Sequence, residues 1–335
     1  MILLDAVFIN NSGGKVLLDY LVPQLFEKHP DTFFLLDQRV KNSYDFLPPN
    51  QVKFIPNSLI ERHEFYKNNF NKFTSILCFG NVPPAIRLKA KVFTYLHNSV
   101  LFYTGPDFPF KVAIGYKVKS IIVRFLKKNT DFWCVQTPFM KREMEKHWKI
   151  NPDKIIVIPF FNTFSYPDSE KRSLHEYYYI SDGHPNKMHN NLLEAFKKAY
   201  LKNPMISLNL TISAQYPELI KKVETLQSEG VSVKNLGWCT SDQLKSIYSK
   251  GGYLLFPSTQ ESFGLGLIEA AQYGMKVIAS DLPFVHEVIE PSYTFDPWNI
   301  DSIAEAIETS IDTSLPTTKL KIENEILKLL EVINK

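Results

Sequence analysis

Two glutamates, Glu261 and Glu269, bracket the stretch ESFGLGLIE. Carboxylates trade protons, bind metals or accept hydrogen bonds from hydroxyl groups, and the surrounding residues decide which. The preceding run GYLLFPS has the length and composition of a buried strand. The following run LGLIEAAQYG reads as a helix that stops at Gly274, a good residue for the position past a helix end. Gly264 and Gly266 let backbone approach a ligand closely where that helix begins. Free amides and the helix dipole at such a start favour an anion, most simply a phosphate. Glu269, one turn inside, would accept hydrogen bonds from vicinal hydroxyls such as those of a ribose. Glu261 would face the other end. A diphosphate flanked by two polyhydroxylated groups describes a nucleotide-diphosphate sugar. The plainer alternative makes Glu261 a capping acid and Glu269 a surface residue. Against it, Glu269 lies within LIEAA, the apolar face expected to pack on a sheet, where an unpaired carboxylate is costly.

Three further places could serve such a ligand. Lys187, in SDGHPNKMHNNLLEAF, projects from a strand-to-helix loop and offers a point charge; His184 and His189 beside it are looser candidates. The loop NNSGGKVLL carries Gly13 and Gly14 at a helix start, but it does not match the G-x-G-x-x-G dinucleotide fingerprint, and paired glycines also make simple tight turns. His97, in VFTYLHNSV, follows an apolar strand and so sits at a sheet's carboxyl edge. No cluster of His, Cys or Asp has the spacing of a metal site, and no cofactor is expected beyond the nucleotide sugar itself.

These residues need elements to hold them. Apolar runs of about five to eight residues (ILLDAVFI, TFFLLD, VKFIP, SILCFG, KVFTYLH, DFWCVQ, KIIVIP) alternate with helical stretches through the first half. GGKVLLDYLVPQLFEKH places Val16, Leu17, Tyr20 and Leu21 on one stripe, and TPFMKREMEKHW opens with Thr137 as N-cap and Pro138 as first helical residue. A turn-rich segment around 160–173 reads as a linker, and a second strand–helix alternation follows. The expectation is α/β: two Rossmann-like doubly wound domains facing each other across a cleft, with ligands at the carboxyl ends of the strands. Residues 1–165 form the first domain, 173–312 the second, and 313–335 an amphipathic C-terminal helix packing back towards the first.

Composition agrees with a globular protein of 335 residues, 44% hydrophobic and 22% charged. No window has the ~20 uninterrupted apolar residues of a membrane span. The start, MILLDAVFINNSGG, reads as a buried strand and lacks the basic region of a signal peptide, so a cytoplasmic location is expected. Cys78, Cys134 and Cys239 are odd in number and far apart, as reduced thiols would be. The net charge of +3 divides unevenly: residues 1–170 carry +7 and the rest −4, which hints at an anionic partner for the first half.

The stretch FPSTQESFGLGLIEAAQYGMKVIASDLPFVHEVI resembles the C-terminal signature of glycosyltransferase family 4, retaining enzymes of the GT-B fold. Its E-x7-E pattern falls on Glu261 and Glu269, and the likeness extends over roughly 177–308, weakening across 1–160. The resemblance implies a retaining, metal-independent, hexosyltransferase-type enzyme. It would move a sugar from a nucleotide-diphosphate sugar to a glycan or lipid-linked hydroxyl, in bacterial surface-polysaccharide synthesis such as lipopolysaccharide. It implies that Glu261, His97 and Lys187 act at the reacting sugar and diphosphate. Glu269, Ser262, Phe263, Gly264, Leu265, Gly13 and Gly14 would bind the donor. Trp238 and Cys239 would lie near its nucleobase. The D-x-D triplet of the other major glycosyltransferase fold does not occur in the chain. Two departures from the family pattern stand out. Ser262 occupies a usual glycine position, and Asp182-Gly183-His184 replaces a Gly-Arg pair whose arginine would share the diphosphate with Lys187.

The segment KVAIGYKVKSIIVRFLKKN mixes Lys117, Lys119, Arg124, Lys127 and Lys128 with aliphatic and aromatic residues. It fits an amphipathic helix on an anionic membrane surface, which would make the protein peripheral at the inner face; it equally fits a core-packed helix with a solvated basic face. Nothing points to nucleic acid. Two other functional classes remain: a GT-B nucleotide-sugar epimerase, which needs no acceptor, and a nucleotide-sugar-binding protein without turnover.

Overall fold

The computed structural model of the chain describes residues 1–105, 108–163 and 175–334. The chain divides into two compact units. The first comprises Met1–Thr104, Phe110–Asn162 and the chain from Glu323 on; the second comprises Gly105–Pro109 and Thr163–Ile322. Most of the segment read as a linker, residues 164–173, lies outside the described residues.

In the first unit, β1 (Ile2–Ala6), α1 (Ser12–Lys28), β2 (Phe33–Asp37), β3 (Val52–Ile55), α2 (Leu59–Asn68), β4 (Ser75–Cys78) and β5 (Lys91–Leu96) come first. Then follow α3 (Phe110–Leu126), β6 (Phe132–Val135), α4 (Pro138–Trp148) and β7 (Ile155–Val157). The seven apolar runs of the first half become the seven strands of one sheet, ordered β3-β2-β1-β4-β5-β6-β7 and parallel throughout. All five residues of β1 are buried, as a strand covered on both faces requires. Thr137 caps α4 by accepting from the Met140 amide at 3.2 Å.

In the second unit the order is β8 (Glu176–Tyr179), α5 (His189–Lys202), β9 (Ser207–Leu210), α6 (Pro217–Ser228), β10 (Val233–Asn235), α7 (Ser241–Ser249) and β11 (Tyr253–Phe256). After these come α8 (Leu265–Gln272), β12 (Lys276–Ser280), α9 (Pro283–Val288), β13 (Ile289–Glu290), β14 (Tyr293–Phe295), α10 (Ile300–Asp312) and β15 (Lys319–Leu320). Six of the strands form a second parallel sheet, β10-β9-β8-β11-β12-β14. Gly274 takes a left-handed conformation, φ 68°, just past α8, as its position predicted.

Two details differ from the sequence pattern. The buried stripe of α1 is Leu17, Leu18, Leu21, Val22 and Leu25, with Val16 exposed. The tail is not one helix: β15 pairs antiparallel with β13, and only α11 (Ile326–Asn334) is helical, packing on α1 and β4 in the first unit.

Both sheets reverse their winding once, between β1 and β4 in the first and between β8 and β11 in the second. At such a point the two flanking loops leave in opposite directions and open a crevice at the strands' carboxyl ends.

Candidate functional site

The loops after β8 and β11 meet at the second unit's crevice. After β8 the chain makes a tight turn, Pro185–Lys187, and enters α5 through Met188 in a left-handed conformation, φ 51°. After β11 it runs through Ser258–Glu261 to Gly264, which caps α8 with φ 73°, a conformation that explains glycine there. Lys187 and Glu261 form an ion pair between the loops, with side chains 20% and 15% exposed. Glu261 Oε1 also accepts from Ser258 Oγ at 2.7 Å. Asn186 Nδ2 donates to the Gln260 carbonyl at 2.8 Å, and the Thr259 amide donates to the Asn186 carbonyl at 2.8 Å. The Tyr179 hydroxyl holds the Lys187 carbonyl, also at 2.8 Å.

At the start of α8, the Gly264 carbonyl takes the amides of Leu267 and Ile268. Phe263 is buried, whereas Ser262 and Leu265 are half-buried. Gly266 is not demanded by packing, since an added Cβ would meet only ordinary contacts at 3.6 Å and beyond. Glu269 faces the buried Tyr248, whose hydroxyl donates to its Oε2 at 2.9 Å. Burial raises its pKa to about 7, with the Tyr248 hydrogen bond opposing the shift. The carboxylate placed on an apolar face thus has a partner.

The run Asp182-Gly183-His184 is fixed by local contacts. Asp182 Oδ1 accepts from the amides of Gly183 and Ser213, at 3.0 and 3.1 Å, and so joins the loops after β8 and β9. A Cβ on Gly183 would lie 2.4 Å from the Tyr216 ring. His184 packs on that same ring, and burial and the nearby Lys187 both lower its pKa. His189 is buried against Tyr179, which pushes its pKa down to about 3. Neither histidine is built as a second cation. At the end of β10, Trp238 is 62% exposed and Cys239 half-buried. The side chain of Asn235 fastens this loop to the one after β9 through both Ile212 backbone groups. Sequence reasoning missed Asn186, Ser258, Asn235 and Tyr248.

The first unit holds its own cluster at the ends of β1, β4 and β5. His97 Nε2 lies 2.9 Å from the Phe79 carbonyl, which fixes the proton on that nitrogen, and the His97 amide donates to Asn81 Oδ1 at 2.7 Å. The ring stacks on Phe79, and burial lowers its pKa to about 4, so the imidazole is neutral at physiological pH. Gly14 owes its identity to this histidine: a Cβ there would sit 2.9 Å from His97 Cε1. Gly13 is exposed. Behind the cluster, the buried Arg62 pairs with Asp5 at 2.6 Å and holds the carbonyls of Val82 and Pro83.

On α3 the apolar residues Phe110, Ile114, Val118, Ile121 and Phe125 are all exposed, Phe110 by 79% and Phe125 by 72%; only Val123 and Leu126 are buried. Their spacing puts them on one stripe, with Lys117 and Arg124 along one side and Lys111 along the other. Lys119 and Lys128 are exposed, while Lys127 turns inward to the Trp148 carbonyl at 3.0 Å. Among the described residues, no helix is long and apolar enough to cross a membrane, and no group of three His, Cys, Asp or Glu is placed to hold a metal ion.

Comparison with known proteins bears on the fold and on what the chain is similar to. Residues 170–324 match the family model described as glycosyl transferases group 1. An O-antigen chain mannosyltransferase, RfbU of Salmonella typhimurium, is 27% identical over 58% of the chain, which spans about half (53%) of that relative's length. The O-antigen biosynthesis glycosyltransferase WclY of Escherichia coli is 21% identical over 88% of the chain and 84% of its own. Among solved structures, Anabaena HepE in complex with UDP-glucose superimposes with a TM-score of 0.69 at 15% identity, covering 93% of this chain and 89% of that one. The chain has the GT-B, Rossmann-like fold.

Proposed function

We propose that the chain is a retaining glycosyltransferase that takes its sugar from a nucleotide-diphosphate donor. One observation carries the reading: Lys187 and Glu261, far apart in sequence, meet at the crevice of the second sheet beside the start of α8. That arrangement suits a donor whose diphosphate lies against Lys187 and the α8 amides, whose ribose hydroxyls donate to Glu269, and whose sugar lies against Glu261. Breaking the anomeric C–O bond builds oxocarbenium character on the sugar and negative charge on the leaving diphosphate. Lys187 and the amides around Phe263 to Leu265 stabilise that charge, and they do so without reorganising as it develops. The acceptor hydroxyl attacks from the leaving-group face and passes its proton to a diphosphate oxygen, which preserves the anomeric configuration.

The first unit supplies the acceptor side. His97, held neutral, offers a hydrogen bond to a sugar hydroxyl. The carboxylates Asp5 and Asp37 are each held by an arginine, which favours transfer over an epimerase needing acid and base groups there. The activities of the similar O-antigen enzymes make surface-polysaccharide synthesis the working context and mannose the first sugar to test. The stripe on α3, apolar with basic flanks, suits the surface of an anionic membrane carrying a lipid-linked acceptor.

The test is a thermal-shift screen with UDP, GDP, ADP, CMP and dTDP and their sugar nucleotides, on wild type, Lys187→Ala and Glu269→Ala. A ligand at a hundred times its Kd raises stability by ~2.7 kcal/mol, several degrees in Tm. One nucleotide should stand out and fade in both variants. No shift at millimolar concentration would sink the donor reading in favour of another ligand class.

A further inference from the structure

We propose that Glu261 is the resident counter-ion of Lys187 and that an incoming diphosphate takes its place on Lys187, so that donor binding itself frees Glu261 to face the sugar. This deepens the reading of the two loops as a donor site and rests on it.

The pair is mostly shielded from water, and a shielded ammonium needs a counter-charge. Without a donor, Glu261 is the counter-charge the fold supplies. The backbone around the pair is fixed independently of it. Asn186 ties the two loops through the Gln260 carbonyl and the Thr259 amide, and Tyr179 holds the Lys187 carbonyl. An exchange at this point therefore needs only side-chain motion. Ser258, fully buried, donates to the same Glu261 oxygen that Lys187 contacts. When a diphosphate takes Lys187, Ser258 keeps the carboxylate in place, and its negative charge is no longer neutralised. That is the state in which it can face positive charge developing at an anomeric carbon. With Asp182 committed to backbone amides and both neighbouring histidines disfavoured as cations, Lys187 is the charge the two anions compete for.

Removing the Glu261 charge should therefore tighten ligand binding at the site. Glu261→Gln retains an acceptor for Ser258 but no longer competes for Lys187. Titration calorimetry with UDP, GDP, ADP and inorganic pyrophosphate, on the full chain, reads the effect. Whichever probe binds the wild type should bind Glu261→Gln roughly tenfold tighter, as expected when a close charge pair no longer has to be broken. Glu261→Ala should show the same sign, which covers the case in which one variant folds poorly. The gain must vanish when Lys187 is absent, so Lys187→Ala and the double variant Lys187→Ala/Glu261→Gln should bind equally. Unchanged or weaker binding in both Glu261 variants, with wild-type binding intact, overturns the exchange and leaves the donor site standing. Absence of binding to the wild type removes the donor site, and the exchange with it.

Discussion

The two sheets present their carboxyl edges on one plan and finish them differently. At the second unit's crevice, two loops bring an ammonium and a carboxylate together where both remain partly exposed. At the first unit's crevice, the charges are sealed. Asp5 and Arg62 are 1% and 3% exposed, and the Tyr66 hydroxyl adds a hydrogen bond to the same carboxylate. Near them lies a neutral imidazole, its ring close against Gly14. A partly exposed pair can change partners at modest cost, whereas a buried one cannot, because a lone charge in the interior has no water to turn to. One edge therefore carries a pair free to change partners, and the other holds its charges fixed.

The largest test of that contrast is on stability. Arg62→Ala should lower the unfolding free energy by about 3–5 kcal/mol, since Asp5 is left buried without its counter-ion and the Val82 and Pro83 carbonyls lose their donor. Lys187→Ala, at the pair between the two loops, should cost clearly less, because Glu261 keeps the Ser258 hydroxyl as a donor and some contact with water. Urea melts of the two variants compare them directly; equal losses would erase the distinction between a sealed and an exchangeable edge.

A smaller effect sharpens the second unit's half of the comparison. Burial raises the Glu269 pKa from 4.5 to about 7. The folded protein thus holds a proton that the unfolded chain has released between those values, and Glu269 lowers stability progressively as pH rises through that window. Glu269→Gln should melt with the wild type near pH 4.5 and be more stable by roughly 2–3 kcal/mol at pH 8. A wild type no less stable relative to the variant at pH 8 would mean that the carboxylate ionises in the fold without penalty. Such a gain in the ligand-free protein marks Glu269 as a group kept for something other than stability.

Much of this was legible in sequence because it is local. A run of β-branched and aromatic residues becomes a strand whatever lies elsewhere, and Thr137-Pro138 signals a helix start by itself. Lys187, Glu261 and Glu269 were singled out because their neighbours announce loops and a helix start and because the surrounding stretches resemble a known family signature. Asn186 and Ser258 were not found. Their value lies in contacts across more than seventy residues, and nothing in the surroundings HPNK or PST marks a side chain destined for a distant carbonyl. The stripe of α1 was misjudged by one residue because VLLDYLV is apolar at successive positions. Either phase satisfies a 3.6-residue period, and only the sheet beneath selects Leu18 over Val16. The tail was read as one helix because a two-residue strand, β15, has no periodicity to detect until β13 is there to pair with it.

The smallest effect on stability belongs to α3, and it separates the two readings that its sequence left open. A helix packed by its apolar face would lose about 1–3 kcal/mol on Phe125→Ser through lost burial. Phe125 is 72% exposed, so the change should fall within about 0.5 kcal/mol of zero. The same substitution, made together with Phe110→Ser, should sharply reduce sedimentation with vesicles rich in phosphatidylserine. Neutral vesicles should bind the wild type weakly, because Lys117 and Arg124 contribute only against an anionic surface, by about 1 kcal/mol each. Raising salt should weaken binding to the anionic vesicles. If the double variant instead turns a dimer into a monomer in light scattering, and vesicles never bound, the stripe is a contact between copies of the chain. The exposed face then answers to protein, and the basic flanks are only its solvated rim.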